Sequence, residues 1–187
     1  MNMPNKLTLI RILLIPIFIV FYQIDTEWAE FAALIIFIAA TATDKLDGYL
    51  ARKNNEITTF GKLMDPLADK ILIMSALICF LENNSKFITS IVVIVILTRE
   101  LIVTGLRLIA LGERRVIAAS PWGKAKTVSQ FVLIIGIMVF DIARNYLEQF
   151  DKVYDVLTLI FVIIAVLLTI ISGVDYIIRN RKVITLK

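Results

Sequence analysis

The chain has 187 residues, of which 59% are hydrophobic, with a mean hydropathy of +0.85 and a formal net charge of +4. A soluble domain of this length cannot bury so much apolar surface, so much of it is expected to face lipid. The single cysteine, Cys79, excludes an intramolecular disulfide and a zinc cluster. Histidine is absent, so a general base is expected to be a carboxylate or, less commonly, Lys, Tyr or Cys.

Six apolar segments of helix length follow one another, without the period-two alternation of barrel strands. They run approximately over 7–22, 28–50, 62–81, 87–111, 122–142 and 153–178. The first lacks a small-residue cleavage site, so it is expected to be a spanning helix and not a signal peptide. The sequence therefore predicts an all-α integral membrane protein, with six transmembrane helices in one bundle and a single domain over 1–187.

The connections between these segments differ in charge. Most lysines and arginines fall on one side of the membrane in this topology, and only Lys86, Arg144 and Lys152 fall on the other. The positive-inside rule makes the basic side cytoplasmic, with both termini on it. No basic stretch is long enough to form an arm, so nucleic acid is not an expected partner.

Four aspartates lie around the connection between the second and third segments. Asp44 and Asp47 are three residues apart, and Asp65 and Asp69 are four apart, so on helices each pair shares one face. The first pair ends a helix running toward the cytoplasm and the second begins the returning helix. The four carboxylates can therefore converge in a polar cavity open to the cytoplasm.

Carboxylates this close repel one another, and they are costly to ionise near hydrocarbon. They could instead solvate the helix ends or pair with Lys45 and Lys70. Their number and spacing favour a site for hard cations, Mg²⁺ or Mn²⁺. Two such ions suit displacement at phosphorus, where they hold the attacking and leaving oxygens.

Small and basic residues accompany the aspartates. Gly48 and Gly61 could serve helix packing and a helix start, or let a nucleotide approach the backbone. Arg52 could mark a helix end, but beside metal-bound phosphates an anion-binding role is the better interpretation.

The arrangement Asp44-x-x-Asp47-Gly48-x-x-Ala51-Arg52, eight residues, then Gly61-x-x-x-Asp65-x-x-x-Asp69 resembles the complete signature of the CDP-alcohol phosphotransferase family. The resemblance implies transfer of a substituted phosphate from a CDP-linked donor to an alcohol, with release of CMP. It implies that Asp44 and Asp65 contact both of two metal ions, that Asp47 and Asp69 each bind one, and that Asp69 is the general base. The positions that it places around the CDP group are Gly48, Ala51, Arg52 and Thr58.

Further segments resemble bacterial phosphatidylglycerophosphate synthases, including 3–11, Thr98-Arg99-Glu100, Gly105-Leu106-Arg107 and 118–127 with Gln130. This resemblance implies CDP-diacylglycerol as donor and glycerol 3-phosphate as acceptor, in a bacterial inner or plasma membrane, with a homodimer. Asn5 and Thr8 could cap an interfacial helix or bind the donor's cytidine or pyrophosphate.

A dianionic acceptor phosphate needs clustered cations. Arg107, Lys124 and Lys126 are expected on the metal side, although each could instead extend to lipid headgroups. Arg99 and Glu100 lie deeper and are expected to be paired, either for structure or facing the cavity, and Arg99 is included in the predicted acceptor-phosphate site.

Two kinds of alternative stay open. The same chemistry could use phosphatidylglycerol, inositol phosphate or serine as acceptor. A divalent-cation transporter is a distant alternative, because transport sites usually lie near the bilayer midplane, whereas these aspartates lie at helix ends.

Overall fold

The structure is a computed structural model that describes the backbone of residues 3–53, 59–83, 85–112 and 120–181. Side chains are described for 7–43, 64, 67–83, 85–107, 109–110, 120–147 and 149–181. The described chain is helical, with a short 3₁₀ turn at Glu148–Phe150. Its α-helices are α1 (Met3–Gln23), α2 (Glu27–Lys53), α3 (Thr59–Glu82), α4 (Ser90–Gly112), α5 (Pro121–Arg144) and α6 (Asp151–Arg179).

The predicted helices are confirmed, with one boundary wrong. Each predicted apolar segment falls inside a helix except the fourth, which was expected to begin at residue 87, whereas α4 begins at Ser90. Thr89 precedes α4, and its hydroxyl accepts a hydrogen bond from the Val92 backbone N–H at 3.5 Å. A threonine in this position satisfies an N–H group that the first turn leaves unpaired, so the helix begins after it.

The helices alternate in direction, as contacts at the two ends of the molecule show. At one end, Gln23 at the end of α1 bonds to Glu82 at the end of α3, at 3.1 Å. At the same end, Asn145 after α5 bonds to Glu30 in the first turn of α2, at 3.0 Å. Arg11 in the first half of α1 donates to Thr43 in the second half of α2, at 3.3 Å, toward the opposite end.

The end that gathers Gln23 and Asn145 contains a polar cavity of about 780 Å³. One carboxylate, Asp155 on α6, joins two other segments there. It accepts from Lys86, in the connection before α4, and from Arg144 at the end of α5, both at 2.6 Å. This end is the one that the charge distribution predicts to face away from the cytoplasm.

The apolar interior receives side chains from all six α-helices, and α3 and α5 contribute the most. Phe37 of α2 is fully buried there, with ring centroids 5.6 Å from Phe18 of α1 and 6.3 Å from Phe131 of α5. Fully buried alanines, Ala33 and Ala40, precede and follow Phe37 on α2, so the neighbouring helix can approach closely. Phe37 therefore joins α1, α2 and α5 at the centre of the interior.

Apolar side chains also cover the outside. Ile35 on α2, Ile91 on α4 and Leu101 on α4 are 65%, 74% and 63% exposed. Within the described residues, α5 and α6 are long and apolar enough to cross a membrane, and Leu7–Gln23 is a shorter apolar helix. An apolar surface of this kind on a helical chain indicates membrane association.

Replacing Phe37 with alanine should lower the free energy of unfolding by about 3 kcal/mol, because it leaves a cavity among Phe18, Phe131 and the small residues of α2. Thermal unfolding in detergent measures the change. Phe31→Ala on the same helix is the matched control, since Phe31 is 40% exposed on the outer surface. Equal losses of stability in both variants would contradict this account of the interior.

Candidate active site

A cavity of about 850 Å³ lies toward the end of the helices opposite Asp155. Its polar wall is formed by side chains from α3, α4 and α5, namely Asp69, Lys70, Arg99, Glu100, Arg107 and Lys124. Its remaining wall is mostly apolar and follows α5, with Val128, Phe131, Val132, Ile135, Gly136 and Val139, and with Phe161 of α6. The cavity is thus charged at one end and apolar along its length.

The start of α5 determines which of its cations reach the cavity. Ser120 caps the helix, its hydroxyl accepting from the Gly123 backbone N–H at 3.1 Å, and Pro121 occupies the first turn. Residues two apart on a helix do not face the same way. Lys124 therefore lines the cavity, while Lys126 points inward, where it is 2% exposed.

Glu100 of α4 forms ion pairs with two basic side chains. Its Oε1 accepts from Arg99 Nη1 at 3.1 Å and is paired with Lys126 Nζ of α5. The side chains of Glu100 and Lys126 are 10% and 3% exposed. Because isolated charges are costly in an apolar interior, this pairing is what allows Lys126 to remain buried.

Two other basic residues on the wall are also held by neighbours. Lys70 of α3 donates to the Thr104 hydroxyl, which itself donates to the Glu100 carbonyl at 2.7 Å. Arg107 lies eight residues beyond Arg99 on α4, about 12 Å along the axis, with its guanidinium carbon 5.8 Å from the centre of the Tyr176 ring on α6. Among the described lining residues, four cations face two carboxylates, so the wall attracts anions.

The aspartate prediction falls only partly within the described residues. α2 and α3 contact one another, and their helical backbones carry Asp44, Asp47 and Asp65 at the predicted spacings. The side chains of these three residues lie outside the described set, whereas Asp69 is half-buried on the cavity wall beside Lys70. The described side chains include no group of three metal-ligating residues. The metal site stays a prediction.

The predicted donor-binding residues lie mostly beyond the described part of the chain as well. Thr8 is fully buried on α1. The others have undescribed side chains, and Thr58 also has an undescribed backbone; they are Asn5, Gly48, Ala51, Arg52, Thr58 and Gly61. Near them, the bond from Arg11 to Thr43 joins α1 to the residue just before Asp44.

Comparisons with known proteins identify the family of this chain. A family model for CDP-alcohol phosphatidyltransferases matches residues 1–171 of the chain. The chain belongs to this family. The sequence prediction of a CDP-alcohol phosphotransferase is thereby confirmed, and the chain is a member of a family of enzymes.

Several curated proteins resemble this family member over much of its length, and each is named CDP-diacylglycerol–glycerol-3-phosphate 3-phosphatidyltransferase. That of Haemophilus influenzae is 37% identical over 177 residues, which are 94% of this chain and 91% of the relative. That of Bacillus subtilis is 38% identical over 191 residues, 96% and 95% of the two chains. That of Escherichia coli K12 is 38% identical over 135 residues, 71% and 74% of the two chains.

In this CDP-alcohol phosphatidyltransferase, the cavity wall includes residues that the sequence analysis did not assign to a binding site. Lys70, Glu100 and Thr127 line the cavity. Lys70 follows Asp69 directly, and this position next to a predicted site residue could have placed it among the predicted cavity residues. The inward direction of Lys126 had no comparable signal, because it depends on which residue of α4 lies opposite.

The different surroundings of Lys124 and Lys126 predict different effects on stability. Lys126→Met should lower the free energy of unfolding by about 3 kcal/mol, because it removes one partner of the buried Glu100 carboxylate. Lys124→Met, two residues away on the cavity wall, should change it by less than about 0.5 kcal/mol. Thermal unfolding in detergent compares them. A greater loss for Lys124→Met would mean that the two lysines are wrongly assigned.

Proposed function

We propose that this chain transfers a phosphatidyl group from CDP-diacylglycerol to glycerol 3-phosphate, giving phosphatidylglycerol phosphate and CMP. The observation that carries the proposal is the cavity in which Asp69 of the family signature lies on the same wall as Lys70, Arg99, Arg107 and Lys124. A transfer to a phosphorylated alcohol needs both a proton acceptor and an anion site. The names of the relatives from three bacteria support the same reaction.

The acceptor's phosphate is assigned to the basic wall. Arg99, Arg107 and Lys124 line the cavity, and Lys126 lies behind it on Glu100. Their chemistry fits a dianion, since guanidinium groups bind two phosphate oxygens at once and ammonium groups add point charge. Serine carries no phosphate and has no net charge, so it suits a wall with four cations less well than a dianionic phosphorylated alcohol does.

The donor is assigned to the rest of the cavity and to the signature. Its nucleotide would contact Asn5, Thr8, Gly48, Ala51, Arg52, Thr58 and Gly61. Its acyl chains fit the apolar wall along α5. On that wall Gly136 packs closely against Phe161 of α6, since a Cβ at Gly136 would lie 2.9 Å from the Phe161 ring. A lipid substrate has this same division into a charged head and apolar chains.

Divalent metal ions, Mg²⁺ or Mn²⁺, belong to the proposal. The donor set fits them: four carboxylates at helical spacing on two helices that contact one another, with Asp69 facing the cavity. Asp44, Asp47, Asp65 and Asp69 would hold two ions. When bound, the ions would neutralise the pyrophosphate and the charge that develops on the leaving group.

Different side chains of the protein would accept the proton and hold the acceptor. Asp69 accepts the proton from a glycerol hydroxyl, and that oxygen forms a bond to the lipid-side phosphorus of the donor. The bond from this phosphorus to the bridging oxygen breaks, and CMP leaves with the electron pair. The basic wall holds the acceptor so that its hydroxyl, and not its phosphate, reaches the reacting phosphorus.

The finer placement in the cell is also proposed. The chain would act as one domain over 1–187 and would cross the bacterial inner or plasma membrane six times as a helix bundle. Its cavity would open to the cytoplasm, and both termini would lie in the cytoplasm. The charge asymmetry of the connections supports this orientation. The family resemblance favours a homodimer.

An acceptor panel tests the reaction. Purified protein in detergent with CDP-diacylglycerol should release CMP with glycerol 3-phosphate and form one phosphatidylglycerol phosphate per CMP. Phosphatidylglycerol, inositol phosphate and serine should give background release. Chelation with EDTA should abolish turnover, and added Mg²⁺ or Mn²⁺ should restore it. Faster turnover with any other acceptor, or turnover in EDTA, would contradict the proposal.

Asp69→Asn tests the proton acceptor. The amide has the same shape but cannot accept the proton, so kcat should fall by about 100-fold or more while donor binding remains measurable. CMP release and equilibrium binding of CDP-diacylglycerol give the two readouts. Asp151→Asn, at the exposed start of α6, is the control and should retain wild-type turnover. Full turnover in Asp69→Asn would remove Asp69 from the base role.

A further inference from the structure

Glu100 is a carboxylate within a wall proposed to bind an anion. It lies on α4, is 7% exposed and lines the cavity together with Arg99. By charge alone it would weaken the binding of a phosphate, and burying it is costly. Its presence therefore calls for a specific function, and its contacts to Arg99 and Lys126 indicate which one.

Arg99 is held on three sides. Its Nη1 donates to Glu100 at 3.1 Å. Its Cγ lies 3.2 Å from the position that a Cβ would take on Gly173 of α6, so the arginine stem passes close to that helix. Its Nη2 lies 3.8 Å from the corresponding Cβ position on Gly123 of α5, which also lines the cavity. Gly173 thus makes room for the arginine stem, and Glu100 fixes its end.

The contact with Glu100 uses one side of the guanidinium. Nε lies on the other edge with Nη2, and this Nε is buried without a hydrogen-bond partner among the described residues. Buried donors are normally satisfied, because an unpaired one destabilises the folded state. The Nε and Nη2 pair is also the edge with which arginine can bind two phosphate oxygens.

Lys126 fixes Glu100 in turn. Its ammonium pairs with the same Oε1 atom that accepts from Arg99, and its side chain is 3% exposed. It comes from α5, whereas Glu100 and Arg99 come from α4. The order of contacts is therefore Lys126 to Glu100, Glu100 to Arg99, and Arg99 to the cavity.

We propose that Glu100 is a positioning residue for the acceptor's phosphate, which acts through Arg99 by holding the guanidinium at the cavity wall where that phosphate would bind. The inference rests on the proposed function, since it names how the same wall recognises a phosphorylated alcohol. Glu100 itself does not contact the substrate. Its negative charge offsets Arg99 and Lys126, which would otherwise repel one another and separate.

Steady-state kinetics on the full-length protein in detergent test this role. Glu100→Gln keeps the shape and removes the charge. It should raise the KM for glycerol 3-phosphate by about tenfold or more, as expected when a charge-assisted hydrogen bond is lost. The KM for CDP-diacylglycerol should stay within about twofold, because the donor is assigned elsewhere. Glu100→Asp, which retains the charge but is one methylene shorter, should give an intermediate KM.

A double-mutant cycle distinguishes action through Arg99 from direct contact. Arg99→Gln should raise the same KM, and adding Glu100→Gln to it should change the KM by less than about twofold further. Arg107→Gln is the comparison, because Arg107 lies on the same wall but bonds to neither residue in the described structure. In the double variant, the fold-increases in the KM for glycerol 3-phosphate caused by Arg107→Gln and by Glu100→Gln should multiply.

Glu30→Gln is the matched control. Glu30 lies at the opposite end of the helices, bonded to Asn145 at 3.0 Å, and its loss should leave the KM for glycerol 3-phosphate unchanged. Thermal unfolding of every variant accompanies the kinetics. Should Glu100→Gln not fold, Glu100→Asp and its combination with Arg99→Gln decide the same question.

The outcomes separate the inference from the function on which it rests. Wild-type protein without turnover on glycerol 3-phosphate would refute the proposed function. Active wild type with an unchanged KM in Glu100→Gln, a fall in kcat alone, equal effects on both substrates, or multiplying effects of Glu100→Gln and Arg99→Gln would overturn the positioning role. A similar rise in Glu30→Gln would do the same.

Discussion

Charged groups in an apolar helical protein must either be paired or be gathered where a polar ligand can meet them. The Glu100 carboxylate satisfies both requirements, because it pairs with Lys126 from α5 and with Arg99 on its own helix while lining the cavity. The contact between α4 and α5 at this point fixes the basic wall. Without it, the cations on these two helices would have no common anchor, and the wall would lose its defined shape.

The cavity combines two environments that are normally kept apart. Its charged end receives side chains from three helices, and its apolar wall follows one helix for several turns, from Val128 to Val139. A substrate with a soluble phosphate can occupy the first and a lipid chain the second, with the reacting atoms between them. This division, and not any one residue, is what relates the shape of the cavity to a transfer from a lipid donor to a soluble alcohol.

The sequence predicted the helices well because long apolar runs leave few alternatives. The start of α4 was predicted three residues too early, because Phe87 and Ile88 before the helix are as apolar as the helix itself. The hydrogen bond from the Val92 N–H to the Thr89 hydroxyl, which marks the helix start, has no signal in the apolar pattern. The family was predictable from the aspartate signature, which is local in sequence. The sequence did not predict that Lys124 lines the cavity whereas Lys126 is buried, because the position of Lys126 depends on Glu100 of another helix. The bond from Lys70 to Thr104, which connects α3 to α4, was not predictable either, because it depends on another helix.

Helix α5 is restrained near both of its ends. Lys126, in its second turn, is paired with α4, and Arg144, its last residue, is paired with Asp155 of α6, which also binds Lys86 before α4. A helix of this length is about 36 Å long, so the two ion pairs lie far apart along it. Sliding α5 along its axis would break ion pairs at two distant points at once. Helix α5 is therefore suited to act as the stationary element of the fold, against which any opening for lipid exchange would be made by its neighbours.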